Sequence, residues 1–444
     1  MKFQFSAAKL KLLHSPNEFY QQLIFLCTNA RDRISLSALY LGTGNLEGKL
    51  VQATREAASR GVRVTYILDA ARARRRDKNG NTSLSILSCL KNEFPQNVTI
   101  TTKYNNSFLS RLLDVLPTGR ICDALGLFLE IYGVFHIKIF AIDHTSILCG
   151  ANLSETYFTN RLDRYFVIQD KSLARWHHHL TDYFVAQENE KINATKNSFR
   201  NTITDISILS QKQKRHSKLR KNRKKNKRTK FSVGMVWCFP AMQNFHARIR
   251  QEEKLLFELI DTATLLKGSS LGLATAYLNP PQDLINKIVK DPISIDIIFP
   301  ASSAHGFASA SGLRGIIPLA YNKIVQDLSF ALSPFQNKRL YAWQLNTNDS
   351  FHAKGVWLFQ HGSALATITG SSNFNKRARQ RDIELSYLLC SSDTRLRRAW
   401  TNEWHTYLRN TTRIEFFDKD KEEEATRPLR FYIYLSRLFF SSFL

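Results

Sequence analysis

One short motif occurs twice in this chain, and the duplication limits the folds that the chain can adopt. A His-x-Lys pair stands at His136 and Lys138, and another stands at His352 and Lys354. In both copies the pair is followed by a turn of small residues that ends in asparagine, and a carboxylate follows that asparagine by 11 residues. These residues are Asn152 and Asp163 in the first copy and Asn373 and Glu384 in the second. Two copies of one constellation predict two repeats whose half-sites meet across a pseudo-twofold axis.

The spacing within each copy suits chemistry at phosphorus. Side chains alternate along a strand, so the histidine and the lysine of each pair project to one face. Two such strands would gather two imidazoles and two ammonium groups, of which one imidazole can attack as nucleophile while the other transfers protons. The lysines, both asparagine amides and Ser371 can bind charge on the non-bridging oxygens. Asp163 and Glu384 can each orient an imidazole. These residues leave open which histidine is the nucleophile.

The order of predicted elements repeats as well. The first half reads as helix 17–31, strand 34–41, helix 47–59 and strand 62–69. The second half reads as helix 249–266, strand 270–278, helix 283–290 and strand 293–299. This alternation predicts an α/β fold of two repeats, each a mixed, mostly parallel sheet flanked by helices. Ligands bind at the carboxyl ends of such strands. The residues at those ends are Tyr40, Gly42 and Thr43 with their counterparts Tyr277, Asn279 and Pro280.

The first copy continues to Asp143, and this pattern, HxK(x)4D followed by GSxN, resembles the phospholipase D superfamily. The resemblance implies that Asp143 belongs with the catalytic set, mainly as support for the strand and loop. Two departures are CGAN in place of GSxN in the first copy and Phe359 in place of Asp in the second. Four segments, 37–51, 149–165, 301–321 and 351–358, look like the eukaryotic, mitochondrial phosphatidylglycerophosphate synthases. That resemblance covers roughly residues 15–444 apart from one insert.

The resemblance implies a phosphatidyltransferase that needs neither metal nor cofactor, because lysines supply the positive charge. CDP-diacylglycerol would pass its phosphatidyl group to His136. His352 would protonate the departing CMP and then activate glycerol 3-phosphate, in the committed step of phosphatidylglycerol and cardiolipin synthesis. Five basic residues are candidates to bind the phosphate of the acceptor: Arg161, Arg164, Lys376, Arg377 and Arg379. Lys376 and Arg377 are slightly preferred.

Other functions stay open at this point. The acceptor could be serine, phosphatidylglycerol or water, the substrate could be a nucleic acid, or the repeats could be relics in a membrane- or RNA-binding protein. A net charge of +26 suits both anionic membranes and nucleic acids. The sequence has no clear aromatic stacking platform among its basic residues, which argues against nucleic acid as a partner. The complete motif residues argue against relic repeats.

Composition predicts the organisation and the compartment. Residues 1–14 resemble a short mitochondrial presequence, 15–190 and 232–444 are predicted as the two domains, and 191–231 as a disordered basic insert. Within the insert, residues 212–230 contain 12 Lys or Arg and no acid. The rest of the chain therefore has a net charge of +14. No segment reaches the roughly 18 apolar residues of a membrane span. We therefore expect a peripheral protein, and the resemblance implies that it lies on the mitochondrial inner membrane. Its scattered cysteines predict neither zinc nor disulfides.

Three segments have more than one interpretation. The arginines between Arg72 and Arg76 could meet a phosphate or an anionic membrane, or could simply be solvated. The apolar stretch 106–135 could form a wall of a lipid groove or an ordinary core helix. The apolar tail 431–444 is predicted to lie at an interface or to pack on the core.

Overall fold

A computed structural model describes residues 1–104, 133–189, 234–306, 316–346 and 348–414. It leaves out the side chains of 187–189 and 316–320. The predicted groove wall up to residue 132, the basic insert and the apolar tail lie outside the described residues, as do the proposed domain boundaries around 190 and 231.

The described residues form strands and helices in the predicted alternating order. The strands are β1 (Phe3–Ser6), β2 (Leu10–Leu13), β3 (Arg33–Ala38), β4 (Arg63–Asp69), β5 (Val98–Lys103), β6 (Ile139–Ile142), β7 (Thr145–Leu148), β8 (Arg161–Leu162), β9 (Tyr165–Ile168), β10 (Met235–Asn244), β11 (Ile249–Arg250), β12 (Ser269–Ala274), β13 (Ser294–Pro300), β14 (Lys338–Trp343), β15 (Ser350–Phe351), β16 (Gly355–Gln360), β17 (Ser363–Gly370), β18 (Ile383–Ser391) and β19 (Thr411–Arg413). The helices are α1 (Pro16–Thr28), α2 (Asn45–Ser59), α3 (Ala70–Ala73), α4 (Ser83–Glu93), α5 (Glu155–Thr159), α6 (Lys171–Asn189), α7 (Gln251–Leu265), α8 (Gln282–Lys290), α9 (Ile316–Leu332), α10 (Lys376–Gln380) and α11 (Thr394–Arg409).

Local sequence explains where these helices begin. Ser15 caps α1, because its hydroxyl accepts a hydrogen bond from the Glu18 amide at 3.1 Å and Pro16 occupies the first helical position. Phe19, Leu23 and Cys27 then recur at a spacing of four and are fully buried. The helices predicted on either side of the early strands are therefore confirmed to within a few residues.

Two sheets of matching topology form the core. The first has seven strands in the order β2-β9-β7-β6-β3-β4-β5, and the second has ten, with β10-β18-β17-β16-β12-β13-β14 following the same plan. One buried cluster lies under the helices of each repeat, and a third contains residues of both repeats together with α6 and α11. The α/β class and the two-repeat arrangement are confirmed.

The prediction that each sheet is mostly parallel is wrong. Only β3, β4 and β5 run parallel in the first sheet, and only β12, β13 and β14 in the second. The strands that follow each histidine form tight antiparallel hairpins, β6 with β7 and β16 with β17. A helix crossover is needed only between parallel neighbours. The alternating pattern therefore describes the first half of each repeat and misses the second.

The first 14 residues take part in both sheets. β1 pairs with β10 of the second sheet, and β2 pairs with β9 of the first. Phe5 and Leu10 are buried in the cluster between the repeats. Cleavage after residue 14, as the presequence interpretation supposes, would remove one edge strand from each sheet.

Within the described part of the chain, no helix is both long and apolar enough to cross a bilayer.

Candidate active site

Each motif histidine lies in a short segment directly before β6 or β16, and this segment reaches into the other repeat. The His136 amide donates to the Ile383 carbonyl at 3.0 Å, and the His352 amide donates to the Leu162 carbonyl at 2.8 Å. β15, just before His352, pairs in parallel with β8 of the first repeat. These two equivalent crossings bring the half-sites together about the predicted pseudo-twofold axis.

Because of these crossings, the carboxylate that orients each histidine comes from the other repeat. Nδ1 of His136 lies 2.9 and 3.0 Å from the two carboxylate oxygens of Glu384. Nδ1 of His352 lies 2.6 Å from Oδ2 of Asp163. Each imidazole is thus oriented by the acid of the other copy, and neither half-site is complete within one repeat.

Backbone and side-chain donors fix these two carboxylates in turn. Asp163 accepts from the amides of Arg164 at 2.7 Å and Gly150 at 3.2 Å. Ser371 donates its hydroxyl to Glu384 and is fully buried. The structure therefore corrects the assignment of Ser371 to phosphate binding, because its hydroxyl is committed to the acid that holds His136.

Both lysines of the pairs are buried beside the histidines. Nζ of Lys138 donates to the His136 carbonyl at 2.8 Å, and Nζ of Lys354 donates to the His352 carbonyl at 2.6 Å. Lys354 Nζ also lies 2.6 Å from Nδ1 of His352 and 3.5 Å from Asp163. Their side chains project with the imidazoles, as strand alternation predicts.

Burial sets the charge state of the cluster. It lowers the pKa of Lys138 to about 7 and that of Lys354 to about 8. Burial, followed by the nearby lysine of the same pair, holds the pKa of His136 and of His352 well below 6.5. Burial raises the pKa of Glu384 to about 7 against the opposing effect of Lys138. A bound anion would replace the missing water and favour the charged lysines.

The two motif asparagines have different surroundings. Asn152 accepts from the Leu39 amide at 3.1 Å and donates to the Tyr157 hydroxyl at 3.1 Å. This corrects its assignment to phosphate binding, since both ends of its amide are engaged. Oδ1 of Asn373 is buried and has no hydrogen-bond partner among the described residues. Asn373 therefore remains a candidate for contact with substrate.

Arg161 lies at the edge of the cluster. It donates through Nε to Ser350 at 3.1 Å and through Nη1 to the Tyr157 hydroxyl at 3.3 Å. Its guanidinium stands 4.8 Å from the centre of the Tyr157 ring. It is also one of the charges that lower the pKa of His352. Arg161 is therefore placed to meet an anionic group beside the reacting centre.

Arg164 has a structural role instead. Its guanidinium donates to both carboxylate oxygens of Glu403, at 2.9 and 2.6 Å, and to the Ile368 carbonyl and the Thr367 hydroxyl at 2.8 and 3.0 Å. It lies 3.8 Å from the Trp357 ring centre and has no exposed side-chain surface. The structure therefore corrects the assignment of Arg164 to substrate binding.

The basic residues after Asn373 also separate into two groups. Arg379 is paired with Asp283 and, at 3.3 Å, with Glu253. Arg377 donates to Asp382 at 3.0 Å and lowers the pKa of His136 and of Glu384. Lys376 is exposed at the start of α10. Arg377 is thus close to the cluster, while Arg379 is held by two carboxylates away from it.

Asp143 lies at the far end of β6 from His136. Its carboxylate accepts hydrogen bonds from the amides of Arg31, Asp32 and Arg33, each at 2.9 Å, and its backbone has a φ of 49°. The structure therefore corrects its placement in the catalytic set and agrees with a supporting role for the strand and loop.

The second copy explains why no aspartate is needed at Phe359. β16 is two residues longer than β6, so the turn position with φ of 49° is occupied by His361. Phe359 itself is buried against Trp404. The loss of the motif aspartate thus accompanies a longer hairpin and leaves the site intact.

Asp143→Ala is expected to lower the free energy of unfolding by about 2 kcal/mol, because three amides lose their acceptor and the replacement disfavours positive φ. Turnover of the folded variant should stay near that of the wild type. Urea unfolding and activity at low temperature would measure the two effects. Asp143→Asn, which tolerates this backbone and keeps an acceptor, is the matched control. A large loss of turnover in a stably folded Asp143→Ala would restore Asp143 to the catalytic set.

Sequence reasoning missed Tyr157 and His305, which line the same region, although it named Tyr277 at a strand end. Tyr157 contacts His352, and the Tyr277 ring lies edge-on to both His352 and His305, with centroids 6.2 and 5.2 Å apart. Tyr40, predicted from its strand end, has Arg72 stacked on it at 4.8 Å. Aligning the two copies places Ala378 at the position equivalent to Tyr157, so the duplication gives no signal for this tyrosine.

The two repeats share one topology and meet at the paired histidines and lysines. Residues 23–188 match the family model described as "Cardiolipin synthase, PLD-like domain", which covers the first repeat. These residues therefore form a phospholipase D-like domain.

Curated relatives extend the likeness to most of the chain. A Dictyostelium discoideum protein named probable CDP-diacylglycerol–glycerol-3-phosphate 3-phosphatidyltransferase is 27% identical over 98% of this chain and 78% of its own. The mitochondrial enzyme of that name from Gallus gallus is 28% identical over 90% of this chain and 78% of its own. A crystal structure of phosphatidylserine synthase from Haemophilus influenzae superposes with a TM-score of 0.73, at 18% identity, over 99% of this chain and 95% of that one. The last comparison shows the shared fold.

Proposed function

We propose that this protein transfers the phosphatidyl group of CDP-diacylglycerol to sn-glycerol 3-phosphate, giving phosphatidylglycerophosphate and CMP. The observation that carries the proposal is the pair of buried imidazoles, each held through Nδ1 by a carboxylate of the other repeat. The names of the curated relatives support this choice of donor and acceptor. Such a reaction would be the committed step of phosphatidylglycerol and cardiolipin synthesis.

The geometry supports two displacements at phosphorus through a phosphohistidine. A carboxylate at Nδ1 leaves the lone pair of Nε2 available for attack or for accepting a proton. One imidazole would form the covalent intermediate, and the other would manage the proton of the acceptor hydroxyl. Lys138 and Lys354 would bind the charge on the non-bridging oxygens, with Asn373 beside them. The protein groups supply every role in this scheme.

The setting of the reaction follows from its substrates. CDP-diacylglycerol resides in a membrane, and the chain carries a net charge of +26. We propose a peripheral protein attracted to an anionic surface, at the mitochondrial inner membrane, since several curated relatives are named as mitochondrial.

One assay tests the proposal directly. Purified protein in detergent micelles would receive CDP-diacylglycerol together with glycerol 3-phosphate, serine, phosphatidylglycerol or no acceptor. Formation of phosphatidylglycerophosphate at a rate well above the other products is expected. A preference for serine, phosphatidylglycerol or water would overturn the proposed acceptor. Cleavage of nucleic acid without any reaction of CDP-diacylglycerol would overturn the proposed reaction class.

Arg161 is the first candidate for the acceptor phosphate, and Arg377 is the second. Arg161→Gln is expected to raise KM for glycerol 3-phosphate about ten- to a hundredfold, because a hydrogen bond to a charged group contributes about 1.5–3 kcal/mol. KM for CDP-diacylglycerol should change much less, and more donor should be lost to water. Steady-state kinetics with each substrate varied would measure this. Arg175→Gln, an exposed charge change on α6, is the control. If Arg161→Gln and Arg377→Gln both keep the wild-type acceptor KM, the phosphate binds elsewhere.

A further inference from the structure

One buried carboxylate of the second repeat lies behind the site and has no role in the proposed displacements. This residue is Glu252 on α7, which is 5% exposed. The Ser372 hydroxyl donates to its Oε1 and the Ser386 hydroxyl donates to its Oε2, each at 2.6 Å. Ser372 belongs to the motif turn and directly precedes Asn373. Glu252 is therefore connected, through one hydroxyl, to the turn that carries a candidate for contact with substrate.

The first repeat has an apolar contact at the equivalent place. Phe19 on α1 corresponds to Glu252, because in both helices the residues four and eight positions further on are buried as well. Tyr165 corresponds to Ser386, because each follows the orienting acid by two residues. The rings of Phe19 and Tyr165 stack with centroids 4.8 Å apart. The buried carboxylate with its two hydroxyl donors is thus a feature of the second repeat that the first replaces by two rings.

The two motif turns also differ in backbone conformation. Phe374, directly after the second motif asparagine, has a φ of 55°, which is unfavourable for a residue with a bulky side chain. The Phe374 amide donates to the Ser372 hydroxyl oxygen at 3.1 Å, and that hydroxyl directs its own proton to Glu252. In the first copy, Ala151 stands at the position of Ser372. Leu153, the equivalent of Phe374, has no left-handed φ. Since strained backbone persists only where its surroundings hold it, Glu252 and Ser372 supply the restraint.

The strained turn and the ordinary turn leave their asparagines in different states. The Thr275 hydroxyl donates to the Asn373 carbonyl at 2.8 Å, so the turn is held on this side too. Oδ1 of Asn373 is buried and has no hydrogen-bond partner within the described ranges. The amide of Asn152, on the ordinary turn, is engaged at both ends. The second repeat therefore keeps its asparagine for substrate, and the first uses its own for structure.

We infer that Glu252 is a positioning residue, which acts through Ser372 to hold the strained turn and so directs the Asn373 amide at the reacting phosphoryl group. The inference rests on the proposed function and adds a residue to it. It holds whichever histidine attacks, because both displacements take place at the same phosphorus.

The turn requires a hydrogen-bond acceptor at residue 252 and does not require its charge. Burial, followed by the charge of Glu384, raises the pKa of Glu252 to about 7. Oε1 can accept from Ser372 in both protonation states, since the proton of a neutral carboxyl can lie on Oε2. Glutamine keeps that acceptor and presents its amide N–H to Ser386. We therefore expect Glu252→Gln to be active and Glu252→Leu, which has a similar size, to be impaired.

Glu252→Leu and Ser372→Ala test the inference in two reactions of one preparation. Exchange of labelled CMP into CDP-diacylglycerol reports formation and reversal of the phosphohistidine, and net transfer to glycerol 3-phosphate reports the complete reaction. Both rates should fall by the same factor, about ten- to a hundredfold, because a misplacement of about 1 Å can cost roughly a hundredfold. KM for glycerol 3-phosphate should not change, since Asn373 contacts the group that is transferred. Glu252→Gln should stay within about threefold of the wild type, because its hydrogen bond from Ser372 remains.

A double-mutant cycle separates positioning from a packing defect. In the Asn373→Ala variant, the further change Ser372→Ala should lower neither rate, because the group that Ser372 positions is absent. Ser35→Ala is the matched control, since Ser35 is also fully buried and its hydroxyl lies 2.8 Å from Nδ1 of His178. That variant loses one buried hydroxyl and should keep the wild-type rates. Thermal unfolding of every variant would show that each is folded at the assay temperature.

Three results would overturn the inference while the wild type still makes phosphatidylglycerophosphate. They are wild-type rates in Glu252→Leu, a loss in Glu252→Gln as large as that in Glu252→Leu, and a further loss when Ser372→Ala is added to Asn373→Ala. A wild type that exchanges CMP but transfers to serine would overturn only the proposed acceptor, and the variants would then be compared with serine. A wild type without exchange or transfer would overturn the proposed function and this inference with it.

Discussion

His136→Ala is expected to lose both net phosphatidyl transfer and CMP exchange, to below about 1% of the wild type, since a positioned acid or base alone contributes about 100- to 10,000-fold. Its Nε2 is the nitrogen without a protein partner in the described part of the chain, and Glu384 holds the opposite side of the ring. Removing that ring removes the atom that would bond to phosphorus.

His352→Ala is expected to behave differently in the two reactions. Net transfer should again fall below about 1%, because the acceptor hydroxyl loses its base. CMP exchange should persist, because the attacking phosphate of CMP is already an anion. Both variants would be compared with His179→Ala, which removes an exposed histidine from α6 and should leave both reactions intact.

The pair of measurements can contradict the mechanism in two ways. If either variant keeps more than a few per cent of net transfer while folded, two essential histidines are not required. If His352→Ala loses exchange and His136→Ala keeps it, the nucleophile is His352 and the roles are reversed. Isolation of the phosphohistidine peptide from His352→Ala at alkaline pH would identify the modified ring independently.

The sequence predicted that the two histidine–lysine pairs would lie together. A period of two places histidine and lysine on one face of a strand, and the duplication implies a second copy of every group. The sequence could not predict which carboxylate would hold which histidine. That depends on contacts between residues more than 180 positions apart, such as His352 with Asp163. The exchange of acids between repeats was therefore visible only in the fold.

The same limitation explains why the sequence wrongly suggested that Arg164 binds substrate. Arg161 and Arg164 lie three residues apart in the segment 161–165, which gives no local sign that the two arginines have different partners. Arg161 faces the site through Tyr157, whereas Arg164 meets Glu403, a residue 239 positions away. Local pattern describes the strand and its neighbours but contains no information about so distant a partner. Asn152 and Ser371 have nearer partners, a phenol 5 residues away and a carboxylate 13 residues away, which the motif spacing does not identify.

The close packing around Arg164 explains one further residue of the second motif. A side chain at Gly355, directly after Lys354, would collide with the Arg164 guanidinium and with the Ile368 carbonyl. The glycine in the His-x-Lys-Gly segment therefore makes room for an arginine of the other repeat. Gly355 lies just after His352, and Arg164 directly follows Asp163, the acid that orients His352. The close contact therefore connects two segments of the same half-site.

Arg164→Met is expected to lower the free energy of unfolding by about 3–5 kcal/mol, the range for breaking a buried ion pair on one side. Glu403 would stay in the interior with only Trp357 Nε1 at 3.2 Å and Tyr407 Oη at 3.4 Å as donors. The Ile368 carbonyl would lose its 2.8 Å hydrogen bond from Arg164 and keep only the 3.5 Å contact with the Thr367 hydroxyl among its side-chain donors in the described residues. Urea unfolding followed by tryptophan fluorescence would measure the loss. Turnover should fall too, because a backbone shift around residue 164 would move the amide that donates to Asp163.

Two companion variants make the Arg164 result specific. Arg395→Met, on the same helix as Glu403, removes a side chain that is 71% exposed and 3.9 Å from its carboxylate partner, so its cost should stay within about 0.5 kcal/mol. Arg164→Met combined with Glu403→Gln should recover more than half of the loss, because no uncompensated charge remains buried. If Arg164→Met costs no more than Arg395→Met, Arg164 does not join the repeats. Its guanidinium would then be available to substrate, as the sequence alone suggests.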